Sequence, residues 1–281
     1  MPLFTAAGEP IRRALGDRLR ATVSTGEPFA PRPPDDPGLF GHESIARIVH
    51  ADLTAMMVGG VASLLLQMLH PAALAGVWDH SDFRRDRHGR LKRTARFIAV
   101  TTYGSTEDAE ATIARIRRIH ERVAGALPDG TAYAASDPAL LRWVHIAETW
   151  AFLGAHRRYR APGMPIAEQD RYCAEMAIVA EKLGATDVPR TRAQLDAALV
   201  TARAQLRYDA RTATVARTLL ARTPGTPAGA HALLIEGAID LLPAWAAALH
   251  GLDRPLLTRP ALRLGVAGLG RMVRWALQPA G

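Results

Sequence analysis

One apolar stretch sets the strongest constraint on the fold: LTAMMVGGVASLLLQMLHPAALAGV, residues 53–77. A segment of this length must lie inside a protein core or across a membrane. It contains Thr, Ser, Gln, His and Pro, and Asp52 stands directly before it. These polar groups favour a buried central helix over a membrane span, and a peripheral membrane contact is the alternative. Gly59 and Gly60 predict close approach by another helix or a flat ligand, and Pro71 predicts a kink or restart.

The remaining sequence shows helical patterns and no strand pattern of useful length. Ala and Leu are abundant, whereas aromatic residues make up only 6% of the chain, which favours helices over strands. Ser105, Ser136-Asp137-Pro138 and Thr191 predict helix starts, and Gly104 and Gly184 predict helix ends. We therefore predict an all-α fold with one domain of about ten helices.

The N-terminal region has a different character. An amphipathic helix is predicted over Ile11–Val23, and the segment PFAPRPPDDPG that follows carries five prolines. Proline at this density is incompatible with regular secondary structure. We predict a helix and proline-rich arm over residues 1–40 and the all-α domain over residues 41–281.

Charge and cysteine content narrow the functional classes. The chain has 35 basic and 27 acidic residues and a net charge of +8. The arginines are spread over several helices instead of forming one run, so we expect no nucleic-acid partner. Cys173 is the single cysteine, which excludes an internal disulfide and a cysteine-rich metal site. Because the first residues also lack the apolar region of a signal peptide, we expect a cytoplasmic protein.

A histidine lies on the clearest amphipathic stripe, in the helix predicted over residues 107–124. Ala109, Ile113, Ile116, His120 and Val123 recur at helical spacing. A lone histidine in such a stripe is usually a core residue with one hydrogen bond. Its neighbours here supply no side-chain partner, and an unsatisfied buried polar group costs about 1–3 kcal/mol. His120 is therefore a candidate metal ligand, for instance to a haem iron.

A second candidate group lies on the helix predicted to begin near Arg90. Arg90, Thr94, Phe97 and Thr101 share one face. The first two residues are either a solvated helix start or a pair of polar groups at the edge of a pocket. Phe97 on the same face favours at least partial burial of this pair.

A further pair, His145 and Glu148, stands three residues apart on one face of the helix after Pro138. This spacing suits a non-haem metal site or a carboxylate that orients a histidine base. A di-iron site would need two Glu-x-x-His pairs and two more carboxylates, whereas this chain has the reversed order once. A structural hydrogen bond for His145 is the simpler interpretation.

Several segments together resemble the MpaB/rubber-oxygenase catalytic-domain family, in particular an actinobacterial-type member. They span about Asp36 to Pro189 and comprise DPGLFG, HAD, LLLQMLHPAALAGVWDHSDFRRD, GRLKRTARF, TTYGSTEDAEATIARIRRIHERVAG, YAASDPALLRWVHIAE and DRYCAEMAIVAEKLGA. The resemblance implies an all-α fold around one buried b-type haem, with His120 as the axial iron ligand. It also implies that Arg90 and Thr94 line the pocket.

Other positions in the implied pocket remain open. Guanidinium groups bind carboxylates bidentately, so the haem propionates have candidate partners in Arg84, Arg93, Arg96 and Arg117. The rubber oxygenases of this family use a distal glutamate upstream of the RLKRT-like segment. This chain has none there, and its nearby groups able to transfer protons are His70, Asp79 and His80.

These features predict a haem b-dependent oxygenase or oxidase that acts on a hydrophobic small molecule, such as an isoprenoid or specialised metabolite, with dioxygen. The alternative is a haem-binding sensor or carrier without turnover, and a non-haem metal enzyme built on His145 and Glu148 is the third candidate.

Overall fold

The computed structural model describes residues 12–17, 32–222 and 226–278, and most of these residues are helical. The helices are α1 (12–17), α2 (Ile45–His50), α3 (Leu53–Gln67), α4 (Pro71–His80), α5 (Arg87–Tyr103), α6 (Thr106–His120), α7 (Pro138–Tyr159), α8 (Ile166–Leu183), α9 (Arg192–Ala202), α10 (Ala210–Leu220), α11 (Ala228–Leu241), α12 (Ala244–Leu249) and α13 (Arg259–Leu277). Short 3₁₀ turns cover Arg203–Gln205 and Leu256–Thr258. The all-α prediction is confirmed.

The apolar stretch forms the centre of the fold. α3 packs along α7, and α11 and α13 also pack on α3. Asp52 begins α3 by accepting a hydrogen bond from the Ala55 backbone N–H over 2.8 Å. Gly59 allows the close approach, because a Cβ there would lie 3.0 Å from the Cα of Phe152 on α7. Of the two predicted reasons for this glycine, a neighbouring helix is the one observed.

Pro71 restarts the chain in a new direction. α3 ends at Gln67, Pro71 occupies the first turn of α4, and the two helix axes differ by 103°. Within the described ranges, no single helix is long and apolar enough to cross a membrane, and α3 with α4 meets that test only as a bent pair.

The local start and stop signals are largely confirmed. The Ser105 hydroxyl accepts from the Asp108 N–H, and the Asp137 carboxylate accepts from the Ala139 N–H. Gly104 follows the last residue of α5, and Gly184 ends α8 with a φ of 110°, which glycine adopts without strain.

Two helix boundaries and the number of helices differ from the predictions. α5 begins at Arg87 because the Asp86 side chain caps it. α6 ends at His120, four residues early, and residues 124–126 instead pair antiparallel with residues 132–134 as a two-stranded hairpin, β1–β2. The described residues contain 13 α-helices, more than the predicted ten or so, and α1 covers residues 12–17 of the helix predicted over Ile11–Val23. Residues 18–31, including much of the predicted arm, lie outside the described part.

Candidate functional site

His120 is the last residue of α6, where the chain leaves the helix. The Glu121 N–H donates to the Arg117 carbonyl and the Val123 N–H donates to the His120 carbonyl, which closes the helix end. His120 is half-buried, and burial lowers the pKa of its imidazole. Its Nδ1 is buried without a hydrogen-bond partner. His120 is therefore a neutral imidazole in which one nitrogen keeps a free lone pair, the form that binds a metal ion.

The end of α6 lies beside α4. A Cβ on Gly76 of α4 would be 3.8 Å from Val123 Cγ1, and both hairpin strands pack on α4. His120 follows Ile116 on the less exposed side of α6 as predicted, and only Val123 lies outside the helix. Val123 belongs to the turn after the helix, because the chain bends there to pair β1 with β2.

Arg90 projects from the first turns of α5 towards the end of α4. Its guanidinium donates to Ser81 Oγ over 2.8 Å. Burial lowers the pKa of Arg90, and the nearby positive charge of Arg93 lowers it further. No carboxylate pairs with Arg90 among the described residues. A recessed guanidinium without a counter-charge is suited to bind an anionic group of a ligand.

Thr94 lies one turn after Arg90 on α5. Its hydroxyl donates to the Arg90 carbonyl over 3.2 Å, and the side chain is exposed. The partial burial expected for this pair is therefore found for Arg90 but not for Thr94. Residues 91–95 are all exposed, whereas burial of α5 increases from Phe97 onward, because only the C-terminal half of the helix meets the core.

The arginines expected near haem propionates have different surroundings. Arg93 donates to Asp86 over 3.4 Å at the surface. Arg84 is exposed and lies over the Trp78 ring, with its Cζ 4.5 Å from the ring centre. Arg117 is exposed near the end of α6, and Arg96 lines a surface cavity of about 260 Å³ together with Asp108 and Arg115. Arg93 and Arg84 thus already have protein contacts.

His70 and His80, the two candidate proton-transfer histidines, lie at opposite ends of α4. His70 precedes Pro71, is half-buried and stacks on Trp143 with the ring centres 6.2 Å apart. The pKa of His70 is lowered by burial, which outweighs the opposite effect of a hydrogen bond with Gln205. Its Nδ1 has no hydrogen-bond partner. His70 is thus a second neutral imidazole with an open nitrogen.

The other end of α4 is more polar and more open. His80 is exposed and meets the Tyr133 ring edge-on, with the ring centres 6.4 Å apart. Asp79 accepts a hydrogen bond from the Tyr133 hydroxyl over 3.0 Å. Of the groups considered for proton transfer, Asp79 and His80 therefore face the hairpin, whereas His70 faces the α7 side.

A buried polar network joins three helices, and sequence patterns give no sign of it. His50 on α2 hydrogen-bonds through Nδ1 to Thr102 Oγ1 on α5 over 2.8 Å and through Nε2 to Tyr172 Oη on α8 over 3.0 Å. Burial lowers the pKa of His50 to about 3 and raises that of Tyr172 well above its ordinary value. Both groups are therefore neutral near pH 7. Each partner lies on a different helix, so local spacing carried no signal.

Glu148 on α7 lies next to this network. Burial raises the pKa of its carboxyl to about 7, and the charge of Glu148 in turn raises the pKa of Tyr172. The side chain still keeps some accessible surface. No hydrogen bond to its carboxyl is found in the described residues. A carboxyl with these properties can hold or release a proton near pH 7.

His145, the predicted companion of Glu148, has a structural environment. Its ring is buried, burial lowers its pKa to about 4, and Thr149 Oγ1 lies 3.3 Å from its Nδ1. In the described part of the chain, no three His, Cys, Asp or Glu side chains come together as a metal-binding group. A non-haem metal at this pair would therefore need further ligands from elsewhere.

The structure thus joins some of the candidate residues and separates others. Arg90 and Thr94 are one turn apart on α5, which packs on the helix that carries His120. His80 lies with the hairpin that follows His120. His70 instead stacks on Trp143 of α7, and His145 lies near Thr149 within α7.

Comparison with known proteins places this fold in context. The sequence model of the family described as ER-bound oxygenase mpaB/B'/Rubber oxygenase, catalytic domain, matches residues 47–275, which is most of the chain. The matched range includes α3 to α7 and with them His120, Arg90 and Glu148. No curated relative and no solved structure matches the chain.

Proposed function

The chain belongs to the MpaB/rubber oxygenase catalytic-domain family, and we propose that it is a haem b-dependent oxygenase or oxidase acting on a hydrophobic small molecule. Membership of an oxygenase family makes the protein an oxidoreductase. The finer parts of the proposal are haem b as cofactor, His120 as the iron ligand and an apolar substrate such as an isoprenoid or specialised metabolite. We also propose a cytoplasmic location.

The buried, unpartnered Nδ1 of His120 is the observation that carries the proposal. Burying a polar atom without a partner is costly, and coordination by the imidazole is one way to use such a group. The depressed pKa keeps the ring neutral, so a lone pair is present at pH 7. The residue thus fits an axial haem ligand, and a bound haem would supply the iron centre for dioxygen chemistry.

Arg90 supports the same proposal from the neighbouring helix. Its recessed guanidinium has no counter-ion in the described chain and is held by Ser81. It can bind a propionate or stabilise negative charge that develops in the pocket. Thr94 keeps its oxygen lone pairs, because its hydroxyl proton is used on the Arg90 carbonyl. We assign both residues to ligand positioning, with Arg117, Arg93 and Arg84 as further candidates for the propionates.

Proton transfer near the pocket has candidates in His70 and His80. His70 is recessed and its Nδ1 has no partner, but it lies at the end of α4 away from the hairpin. His80 is exposed, and its ring packs on Tyr133. Because its imidazole faces solvent, His80 is better suited to pass protons to bulk water than to act as a base in a pocket without water.

An absorption spectrum tests the cofactor and its ligand together. Purified protein loaded with haem should show a Soret band, and His120→Ala should lose or strongly shift it. His42→Ala is the matched control, since this histidine is exposed and precedes α2 outside the candidate site, and it should keep the wild-type spectrum. Failure of the wild type to take up haem would refute the proposal, as would an unchanged spectrum in His120→Ala.

A haem-binding sensor or carrier without turnover is the second candidate. In this alternative either His70 or His80 would be a second ligand that blocks the site for dioxygen. His70 has an open Nδ1, whereas His80 lies beside the hairpin that follows His120. The alternative predicts a six-coordinate spectrum that His70→Ala or His80→Ala converts to a five-coordinate one, with no oxygen consumption when apolar substrates are added.

A further inference from the structure

The last helix presents an apolar face that packs against nothing in the described chain. α13 buries Val266, Gly270 and Val273. Val266 lies against Gly237 of α11, and Gly270 lies against Thr54 of α3. The helix is therefore fixed to the core along one side only.

The opposite side of α13 is apolar and exposed. We call it the C-terminal apolar face and define it by residues at helical spacing on the solvent side and in the turn before the helix: Leu256, Leu257, Ala261, Leu264, Met272 and Trp275. Leu257 is 94% exposed and Leu264 is 70% exposed. Monomeric soluble proteins rarely expose a contiguous row of large apolar side chains unless it binds something.

Several arginines lie at the two ends of α13. Arg158, Arg259 and Arg263 share one carboxylate, that of Asp240, so positive charge remains uncompensated at the start of α13. Near its end, Arg160 and Arg274 share Asp52.

Arg271 lies within the exposed face itself and has no ion pair among the described residues. The whole chain carries a net charge of +8. A second copy of the chain would bring the same positive charge to this face, whereas an anionic surface complements it.

We propose that the C-terminal apolar face binds the protein peripherally to an anionic membrane surface. A helix that lies in the membrane interface combines an apolar side with Trp and Leu, flanking arginines and a length too short or too polar to span. α13 has each of these features. Trp275 suits the interface because its ring combines an apolar body with a polar N–H group. The surface differs from the buried α3–α4 stretch, which forms the core.

Vesicle flotation with the full-length protein tests the proposal. The wild type should float with vesicles of phosphatidylcholine and phosphatidylglycerol and much less with phosphatidylcholine alone. The double variant Leu257→Asp/Leu264→Asp should lower partitioning about tenfold or more, since each leucine loses its transfer into the acyl region. Arg271→Glu should weaken binding to the anionic vesicles only.

A matched control separates this face from general surface hydrophobicity. Val200 on α9 is 70% exposed, as Leu264 is, and Val200→Asp should float like the wild type. Vesicles should also shift tryptophan emission to shorter wavelength in the wild type and not in Trp275→Phe. A wild type that stays unbound, or a Val200→Asp variant that loses binding equally, overturns the proposal. So does a wild-type dimer in light scattering that Leu257→Asp/Leu264→Asp converts to a monomer.

Discussion

His50 Nε2 and Tyr172 Oη lie 3.0 Å apart in the interior, and this hydrogen bond links α2 to α8. Tyr172→Phe should lower the free energy of unfolding by about 1–3 kcal/mol, because it leaves a buried ring nitrogen of His50 without a partner. Chemical denaturation measures the change. Tyr208→Phe is the control: Tyr208 is 40% exposed, and its variant should stay within about 0.5 kcal/mol of the wild type. An equal loss in both variants would contradict the role of the network.

Glu148 predicts an unusual dependence of stability on pH. Its folded-state pKa of about 7 lies above the ordinary 4.5, so the unfolded state releases the proton first. The carboxyl therefore favours folding fully below pH 4.5, and this contribution is lost as pH rises through about 7. Glu148→Gln should then be more stable than the wild type by about 3 kcal/mol at alkaline pH and nearly equal to it at acid pH.

Denaturant unfolding across this pH range measures the effect of Glu148→Gln. Glu168 on α8 is exposed, and Glu168→Gln should leave the difference from wild type close to zero at every pH. A Glu148→Gln difference that is independent of pH would show that the carboxyl titrates normally.

The two adjacent glycines of α3 make opposite predictions. A Cβ on Gly59 would lie 2.8 Å from Phe152 Cδ1 and 3.1 Å from the Ala151 carbonyl oxygen, whereas a Cβ on Gly60 would meet only Phe152 Cε1 at 3.8 Å. Gly59→Ala should cost about 1–3 kcal/mol through overpacking. Gly60→Ala should be neutral or stabilising by up to about 1 kcal/mol, because alanine favours the helix. Thermal unfolding of the pair measures both, and similar destabilisation by the two variants would argue against the close α3–α7 contact.

The difference between these glycines shows what a sequence pattern can predict and what only the packed structure reveals. The pair predicts a close approach, but only the packed fold shows that Gly59 faces α7. Starts such as Ser105 and Asp137 were predictable because a capping side chain acts on backbone two or three residues away. The end of α6 at His120 could not be predicted from local sequence, because the turn after it depends on contacts with the hairpin and with α4.

In the candidate site, too, local sequence predicted candidate residues, whereas packing between distant helices determines their burial. Sequence patterns and family resemblance identified His120, Arg90 and Thr94 as candidates, but not how deeply each lies. Thr94 is exposed because α5 meets the core only beyond Phe97. The high pKa of Glu148 arises from burial between helices distant in sequence, which no local pattern encodes.

Asp240 holds the start of α13, and with it the C-terminal apolar face, against the core. Its buried carboxylate accepts from Arg158 over 3.0 Å and from Arg263 over 2.8 Å, and Arg259 lies 3.5 Å away. Asp240→Asn keeps the shape but removes the charge that all three arginines share. It should lower the free energy of unfolding by about 1–3 kcal/mol, because the three partly exposed arginines lose a charged hydrogen-bond partner.

Asp196 provides the matched control for this change. It pairs with Arg192 over 2.8 Å and its side chain is 46% exposed, so Asp196→Asn should cost less than about 1 kcal/mol because solvent screens the pair. Urea denaturation compares the two variants, and hydrogen exchange should show α13 opening first in Asp240→Asn. Equal losses in both variants would mean that Asp240 acts as an ordinary surface charge. Normal protection of α13 in a destabilised Asp240→Asn would mean that the three arginines do not anchor this helix.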